Sequence, residues 1–309
     1  MPYSARMQKS HLYSVFFAPR GNDRMADLGM QVVQQYLSPF DKLIGLVGVA
    51  GSGKSMIIKG MFPGLELTND DAGVNVRPLP LLNVDETGFY TAHTYHIDIR
   101  FESAFMQMHE LAEAILYAVG KGKRVVVEHF DLIYPQLGRN AHLLIGIGEE
   151  VIITRPTLFG PKPQEITDVV VKSINARLMV HTADDICEYC LSKQGIDSHE
   201  YEHADVRSGF ILSFFNKPDI DLHALEEAIN EMIKKDVPVS YADENHIKIG
   251  DELHRCTGPR MHVRSTGEIK KMTLLKELLM EPITDRFLLV GVVGDIEDVN
   301  ELNHIVLQA

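Results

Sequence analysis

The segment Gly48-Val49-Ala50-Gly51-Ser52-Gly53-Lys54-Ser55 has the spacing G-x-x-x-x-G-K-S. Gly51 and Gly53 let the backbone curl so that successive N–H groups point at one anion. A helix beginning near Lys54 adds the positive end of its dipole. At this spacing Lys54 reaches the β- and γ-phosphates of a nucleoside triphosphate, and the Ser55 hydroxyl ligates magnesium. ATP or GTP with magnesium is the expected ligand of Gly48 to Ser55.

Such a site needs an acid for the magnesium and often a base. Glu128 ends the apolar run Arg124-Val-Val-Val-Glu128, with His129 and Asp131 just after, and Asp70 and Asp71 follow Leu67-Thr-Asn. Lys54, Glu128 and Asp71 are therefore the catalytic candidates, and Ser55, Asp70, Asp71 and Glu128 the magnesium candidates; the choice between Glu128 and Asp71 stays open. Arg139 and Arg155 are candidates for stabilising phosphate charge. Two further motifs read as bland. His199-Glu-Tyr-Glu-His203 matches H-E-x-x-H but has polar neighbours, which fits a polar loop before a strand better than a zinc-protease helix. Cys187-Glu-Tyr-Cys190 matches C-x-x-C without a second pair, which fits a helix placing one cysteine in a core.

The elements around these residues follow from periodicity. Helices are expected over Asp23–Tyr36, Lys54–Met61 and Glu102–Val119, and short apolar strands over Leu43–Gly48, Lys123–Glu128, His142–Ile147 and Glu150–Thr154. Thr94–Phe101 alternates and reads as a strand running to Phe101. Strands alternating with helices predict a mainly parallel sheet covered on both faces. The second half has another texture: helices over Ile174–Leu191 and Leu222–Lys235, the latter capped by Asp221, and strands over Gly209–Phe215, Val263–Met272 and Phe287–Val293, an α+β pattern.

A chain of 309 residues that is 45% hydrophobic and 24% charged has material for two cores. Residues 1–164 carry a net charge of −1 and residues 165–309 one of −12. This break, beside the stretch Gly160-Pro-Lys-Pro163, predicts domains at 1–163 and 164–309. The acidity of the second half disfavours tRNA or any nucleic acid as its partner, because phosphate contacts need Lys and Arg. No apolar run approaches the length of a membrane span, and no membrane partner is expected. Three cysteines make no disulfide framework, so a cytoplasmic setting is expected.

The strand–loop–helix context makes the first half resemble the P-loop NTPases and kinases, which implies an α/β fold with a mainly parallel sheet. The loop followed by a short strand and Asp70-Asp71 weakly resembles the HPr kinase and phosphoenolpyruvate carboxykinase group, where paired aspartates serve metal and phosphoryl transfer. From about Ile166 to Val293 the chain resembles the editing, or second additional, domain of alanyl-tRNA synthetase. Arg177-Leu-Met-Val-His181-Thr-Ala-Asp-Asp185 looks like that family's H-x-x-x-H helix, and Gly209–Phe215 with the helix to Lys235 like the elements between its metal motifs. Cys256-Thr-Gly-Pro-Arg-Met-His262 followed by Val263-Arg-Ser-Thr-Gly-Glu268-Ile looks like C-x-x-x-H and V-x-x-T-G-E-I. The resemblance implies zinc ligands at His181, Asp185, Cys256 and His262. Asp185 stands where the family has a second histidine, and the Cys-to-His spacing is two residues longer. A metal-free remnant is the alternative to zinc. Three functions follow from the two resemblances: a kinase-like or ATPase enzyme whose second domain binds an amino acid or aminoacyl compound; a zinc-dependent trans-editing aminoacyl-tRNA deacylase with a regulatory nucleotide site; and a nucleotide sensor without turnover.

Overall fold

The computed structural model describes residues 12–68, 79–82, 92–295 and 303. Asp70 and Asp71 lie outside the described residues. The chain divides into two compact units, one containing residues up to Ala18 with Asn22–Ser173, the other Pro19–Gly21 with residues from Ile174 onward. No helix among the described residues is long and apolar enough to cross a membrane.

The first unit is built on β1 (Tyr13–Phe17), β2 (Leu43–Val47), β3 (Thr94–Asp98), β4 (Arg124–Glu128), β5 (Leu143–Ile147) and β6 (Glu150–Thr154). They form one sheet in the order β1-β6-β5-β2-β4-β3. Its four central and outer strands β5, β2, β4 and β3 pair in parallel, and β6 and β1 continue it antiparallel. Successive side chains of a strand point to opposite faces, and both faces are apolar here. Ile44, Leu46 and Val126 face the helices α1 (Asn22–Tyr36) and α2 (Lys54–Met61). Leu43, Val47, Val125 and Val127 face α4 (Met108–Gly120), α5 (Phe130–Leu137) and the start of α6 (Pro163–Lys193). A parallel sheet buried on both faces needs such unbroken apolar strands.

Two departures from the sequence expectation matter for the site. The strand expected to reach Phe101 stops at Asp98, because the Asp98 carboxylate accepts the Phe101 N–H at 3.2 Å and starts a short helix, α3 (Ile99–Glu102). The helix expected from Glu102 breaks, and α4 begins only at Met108, where Glu110 accepts the Gln107 N–H at 3.0 Å.

In the second unit, β7 (Tyr201–Val206), β8 (Gly209–Phe214), β12 (Met272–Leu274), β13 (Leu279–Met280) and β14 (Phe287–Val293) form an antiparallel sheet, and β9 (Val239–Asp243), β10 (His246–Ile249) and β11 (Glu252–Arg255) a second one. The later part of α6 and α7 (Leu222–Lys235) supply the helical side of its core, with Ile186, Leu191, Leu225 and Ile229 against Phe210, Leu212 and Phe214. Asp221 caps α7 by accepting from the N–H groups of His223 and Ala224. The helix expected over Ile174–Leu191 is longer at both ends. The strand expected over Val263–Met272 is replaced by a turn at Thr266–Glu268 before β12: Glu268 takes the Arg264 and Ser265 N–H groups, and the Thr266 hydroxyl donates to the Met232 carbonyl at 2.7 Å. H-E-x-x-H is not α-helical: a single 3-10 turn at Ser198–Glu200 leads into β7 at Tyr201. Both Cys187 and Cys190 are buried in the core, where one was expected.

The helix carrying Lys54 is set against α1 by contact at glycines. A Cβ on Gly60 would sit 1.9 Å from the Ala26 carbonyl oxygen, and one on Gly29 2.4 Å from that of Ile57. Gly60→Ala should therefore cost about 1–3 kcal/mol through overpacking, although alanine is the better helix former by about 1 kcal/mol. Urea unfolding of the two proteins measures this; equal or higher stability of the variant would mean the helices separate without cost.

Candidate functional site

The Gly48–Ser55 turn leaves the C-terminal end of β2, and Glu128 and Asp98 stand at the same end of β4 and β3. Leu46 pairs with Glu128, and Glu128 with Asp98, so these three strand ends lie side by side. In parallel sheets this edge is where ligands bind. Gly48, Gly51 and Gly53 have φ of 147°, 78° and 96°. Only glycine adopts such angles readily, and the turn can therefore direct its N–H groups inward. The α2 N-terminus has Gly53 as its cap, a residue with no side chain to cap the first-turn N–H groups.

Lys54 is 4% exposed. Its ammonium donates to the Val49 carbonyl at 2.8 Å and to the Gly48 carbonyl at 3.3 Å, and lies 3.8 Å from Glu128 Oε2. Burial lowers its pKa, opposed by the charges of Glu128 and Asp98. The Ser55 hydroxyl donates to Glu128 Oε1 at 3.2 Å, and His96 Nε2 meets the same oxygen at 3.2 Å. The Thr68 N–H donates to His96 Nδ1 at 3.0 Å, so the proton of a neutral His96 sits on Nε2 and is given to Glu128. Burial alone would raise the Glu128 pKa; the His96 hydrogen bond and the Lys54 charge outweigh it and hold the group below the usual carboxylate range.

Asp98, Glu128 and His129 bring three donor atoms within 4.8 Å of one another. His129 has φ of 56°, a left-handed conformation that costs energy in a residue with a Cβ. Burial and the Lys54 charge lower its pKa to about 4. Burial raises that of Asp131. Asp98 and His96 were missed in the sequence, because a strand running to Phe101 hides Asp98 in its middle. Arg155 does not join this group. It binds Asp41 at 2.7 Å, beside the start of β2 and thus at the opposite end of the strands. Arg139 and Arg155 instead line a cavity of about 1230 Å³ with Phe40, Asp41 and Phe159.

In the second unit His181, Asp185, Cys256 and His262 come together with all ligand atoms within 4.8 Å. His181 and Asp185 are four residues apart on α6 and so share a face. Cys256 follows β11, and a turn returns His262 to it. Cys256 Sγ lies 3.5 Å from His181 Nε2 and 3.7 Å from His262 Nε2, which is 2.5 Å from Asp185 Oδ2. His262 Nδ1 is 3.3 Å from the Pro259 carbonyl, and its Nε2 faces the group. Burial pushes the Cys256 thiol up and, for His181, lowers the pKa to about 3. Burial would raise Asp185, but the neighbouring histidines hold it well below the ordinary range. One sulfur, two nitrogens and a carboxylate, buried and convergent, fit a zinc-sized cation, whose charge the thiolate and carboxylate would neutralise.

Comparison with models of protein families gives no match, and comparison with curated protein sequences gives none.

His181 has its pKa depressed in the folded chain. The stability linked to this group is complete above its unfolded pKa of about 6.5 and is lost as pH falls toward about 3. In a chelator, the stability of the parent relative to His181→Gln should therefore decline as pH drops below about 6.5. Urea unfolding of the pair across this range measures it, and a pH-independent difference would contradict a buried neutral imidazole.

Proposed function

We propose that the chain is a P-loop enzyme, kinase-like or an NTP hydrolase, that uses ATP or GTP with magnesium, and that its second unit is an alanyl-tRNA synthetase editing-like module that holds an amino-acid-like or aminoacyl ligand. The observation that carries the reading is the convergence of Lys54, Ser55, Glu128 and Asp98 at one edge of the first sheet. The Gly48–Gly53 turn and the α2 N-terminus would hold the β- and γ-phosphates. Lys54 would exchange its bonds to the Val49 and Gly48 carbonyls for phosphate oxygens. Ser55 and Glu128 would hold magnesium, which supplies charge neutralisation at the phosphates. His96 keeps Glu128 ionised and oriented. Asp98, next to Glu128 in register, is suited to take the proton of an acceptor hydroxyl or water as its oxygen attacks the γ-phosphorus and the bond to the β-phosphate oxygen breaks.

Lys54→Ala should abolish ATP binding measured by calorimetry in magnesium; unchanged affinity would remove the mechanism. Asp98→Asn should retain ATP binding and lower phosphate release about 100-fold or more. Equal losses of binding and turnover would give Asp98 a structural role instead.

The second reading, a zinc-dependent trans-editing deacylase with a regulatory nucleotide site, is favoured by the convergence of His181, Asp185, Cys256 and His262. When bound there by all four groups, zinc would fix the loop that carries Cys256 and His262 against α6; Lewis-acid chemistry would require one of the four to yield its place to water or the ligand. Stoichiometric zinc together with release of alanine or serine from mischarged tRNA supports this reading, and zinc-free protein with normal nucleotide turnover rejects it.

A further inference from the structure

The second histidine of the bland H-E-x-x-H motif reaches a site of its own. In β7, Tyr201, His203 and Asp205 share one face by the two-residue period. In α6, Asp184 and Glu188 share one face by the four-residue period. The two faces meet: His203 Nδ1 lies 3.4 Å from Asp184 Oδ2, and His203 Nε2 lies 3.3 Å from Glu188 Oε1. The three side chains bring one donor atom each within 4.8 Å. They line a cavity of about 590 Å³ that His181, Asp185 and Cys256 also line.

The second observation is Asp184 Oδ1. The Asp184 side chain is 3% exposed, and this oxygen is buried with no hydrogen-bond partner among the described residues. A carboxylate oxygen left so is costly unless something binds it. Its other oxygen lies 3.4 Å from both Arg20 Nε and His203 Nδ1, at ion-pair distance. Arg20 is fixed in turn, donating to the Gly209 carbonyl at 3.0 Å and the Ala204 carbonyl at 3.3 Å, with Asp205 3.3 Å from its Nη2. The two carbonyls thus anchor the guanidinium, and its charge is shared between Asp184 and Asp205.

We propose that Asp184 and Glu188 of α6 and His203 of β7 bind one divalent metal ion of the zinc, cobalt or manganese class, separate from the group at Cys256. Two carboxylates and a neutral imidazole balance the ion's charge, which replaces the proton that His203 places between the two acids. An imidazole nitrogen in the set selects a borderline transition metal over calcium or magnesium, which prefer oxygen alone. It also separates the site from one for an ammonium ligand, which needs acceptors and gains nothing from a second cationic neighbour. Three protein ligands beside a cavity leave coordination positions for water or a ligand, whereas the four at Cys256 leave none.

The site stands apart from the nucleotide reading and from zinc at Cys256, and cobalt distinguishes them. The full chain in a Glu128→Gln background, stripped with chelator and free of nucleotide, is titrated with Co²⁺ while bound metal and visible absorption are followed. The expected result is one bound equivalent that lacks thiolate-to-cobalt charge-transfer absorption. Glu188→Gln and His203→Gln should each lose that equivalent and leave any Cys256-dependent absorption intact, and Cys256→Ser should keep it. If either variant fails to fold, X-ray absorption of the Cys256→Ser protein loaded with one zinc decides: a shell of oxygens with one imidazole is expected, and two imidazoles, the count of the His181 and His262 group, would overturn the proposal. Stoichiometry unchanged in both folded variants, or no metal retained by Cys256→Ser, overturns the proposal.

Discussion

The first unit turns on a single carboxylate. Glu128 is 4% exposed, and a charge so placed is unfavourable unless donors surround it. Ser55, His96 and Lys54 do so, from two segments: Lys54 and Ser55 open the helix after the glycine-rich turn, and His96 stands on the neighbouring strand. Holding them together requires β2, β4 and β3 adjacent, parallel and in one register. The apolar strands and the two cores they separate serve that alignment. The contact at Gly29 and Gly60 serves it as well, by setting the depth at which the helix bearing Lys54 and Ser55 lies on α1.

The second unit places its ionisable groups differently. Helix α6 contributes Val180, Ala183, Ile186 and Leu191 to a core, while the interleaved positions His181, Asp184 and Asp185 are buried as well. A helix hidden on several sides must bury residues all round its circumference. Here the polar ones are gathered into two neighbouring groups lining one cavity. Much of the negative charge of the second half of the chain is spread over its surface, but three of its carboxylates, Asp184, Asp185 and Glu188, sit in this buried stretch, where they need cations.

What could be read in the sequence were features whose physics is local. The glycine-rich turn and its helix were legible because consecutive backbone groups make the site, and α2 spans the expected Lys54–Met61. The pairing of His181 with Asp185 was legible once a resemblance pointed to it, because four residues are one helical turn. Glu128 was legible as an acid at the end of an apolar run, one of two candidates with Asp71. Asp98 was not, because alternation continues to Phe101 and nothing in the pattern says that the Asp98 carboxylate will capture a backbone N–H and end the strand. His203 was not, because H-E-x-x-H invites a helical spacing, and the phase of a strand is set by its hairpin partner, Leu212.

The sequence by itself determined the glycine-rich turn, the apolar strands and the helical faces, because each depends on residues within a few positions of one another. Only the tertiary structure decided which acids stand together: Glu128 beside Asp98 and Ser55, Cys256 and His262 beside His181, Asp184 beside His203. Those meetings join residues about 20 to 80 positions apart through strand register and helix packing, and no local spacing encodes them. For Gly48 to Ser55 the motif supplied the loop, and the fold supplied the buried carboxylate that its lysine and serine face.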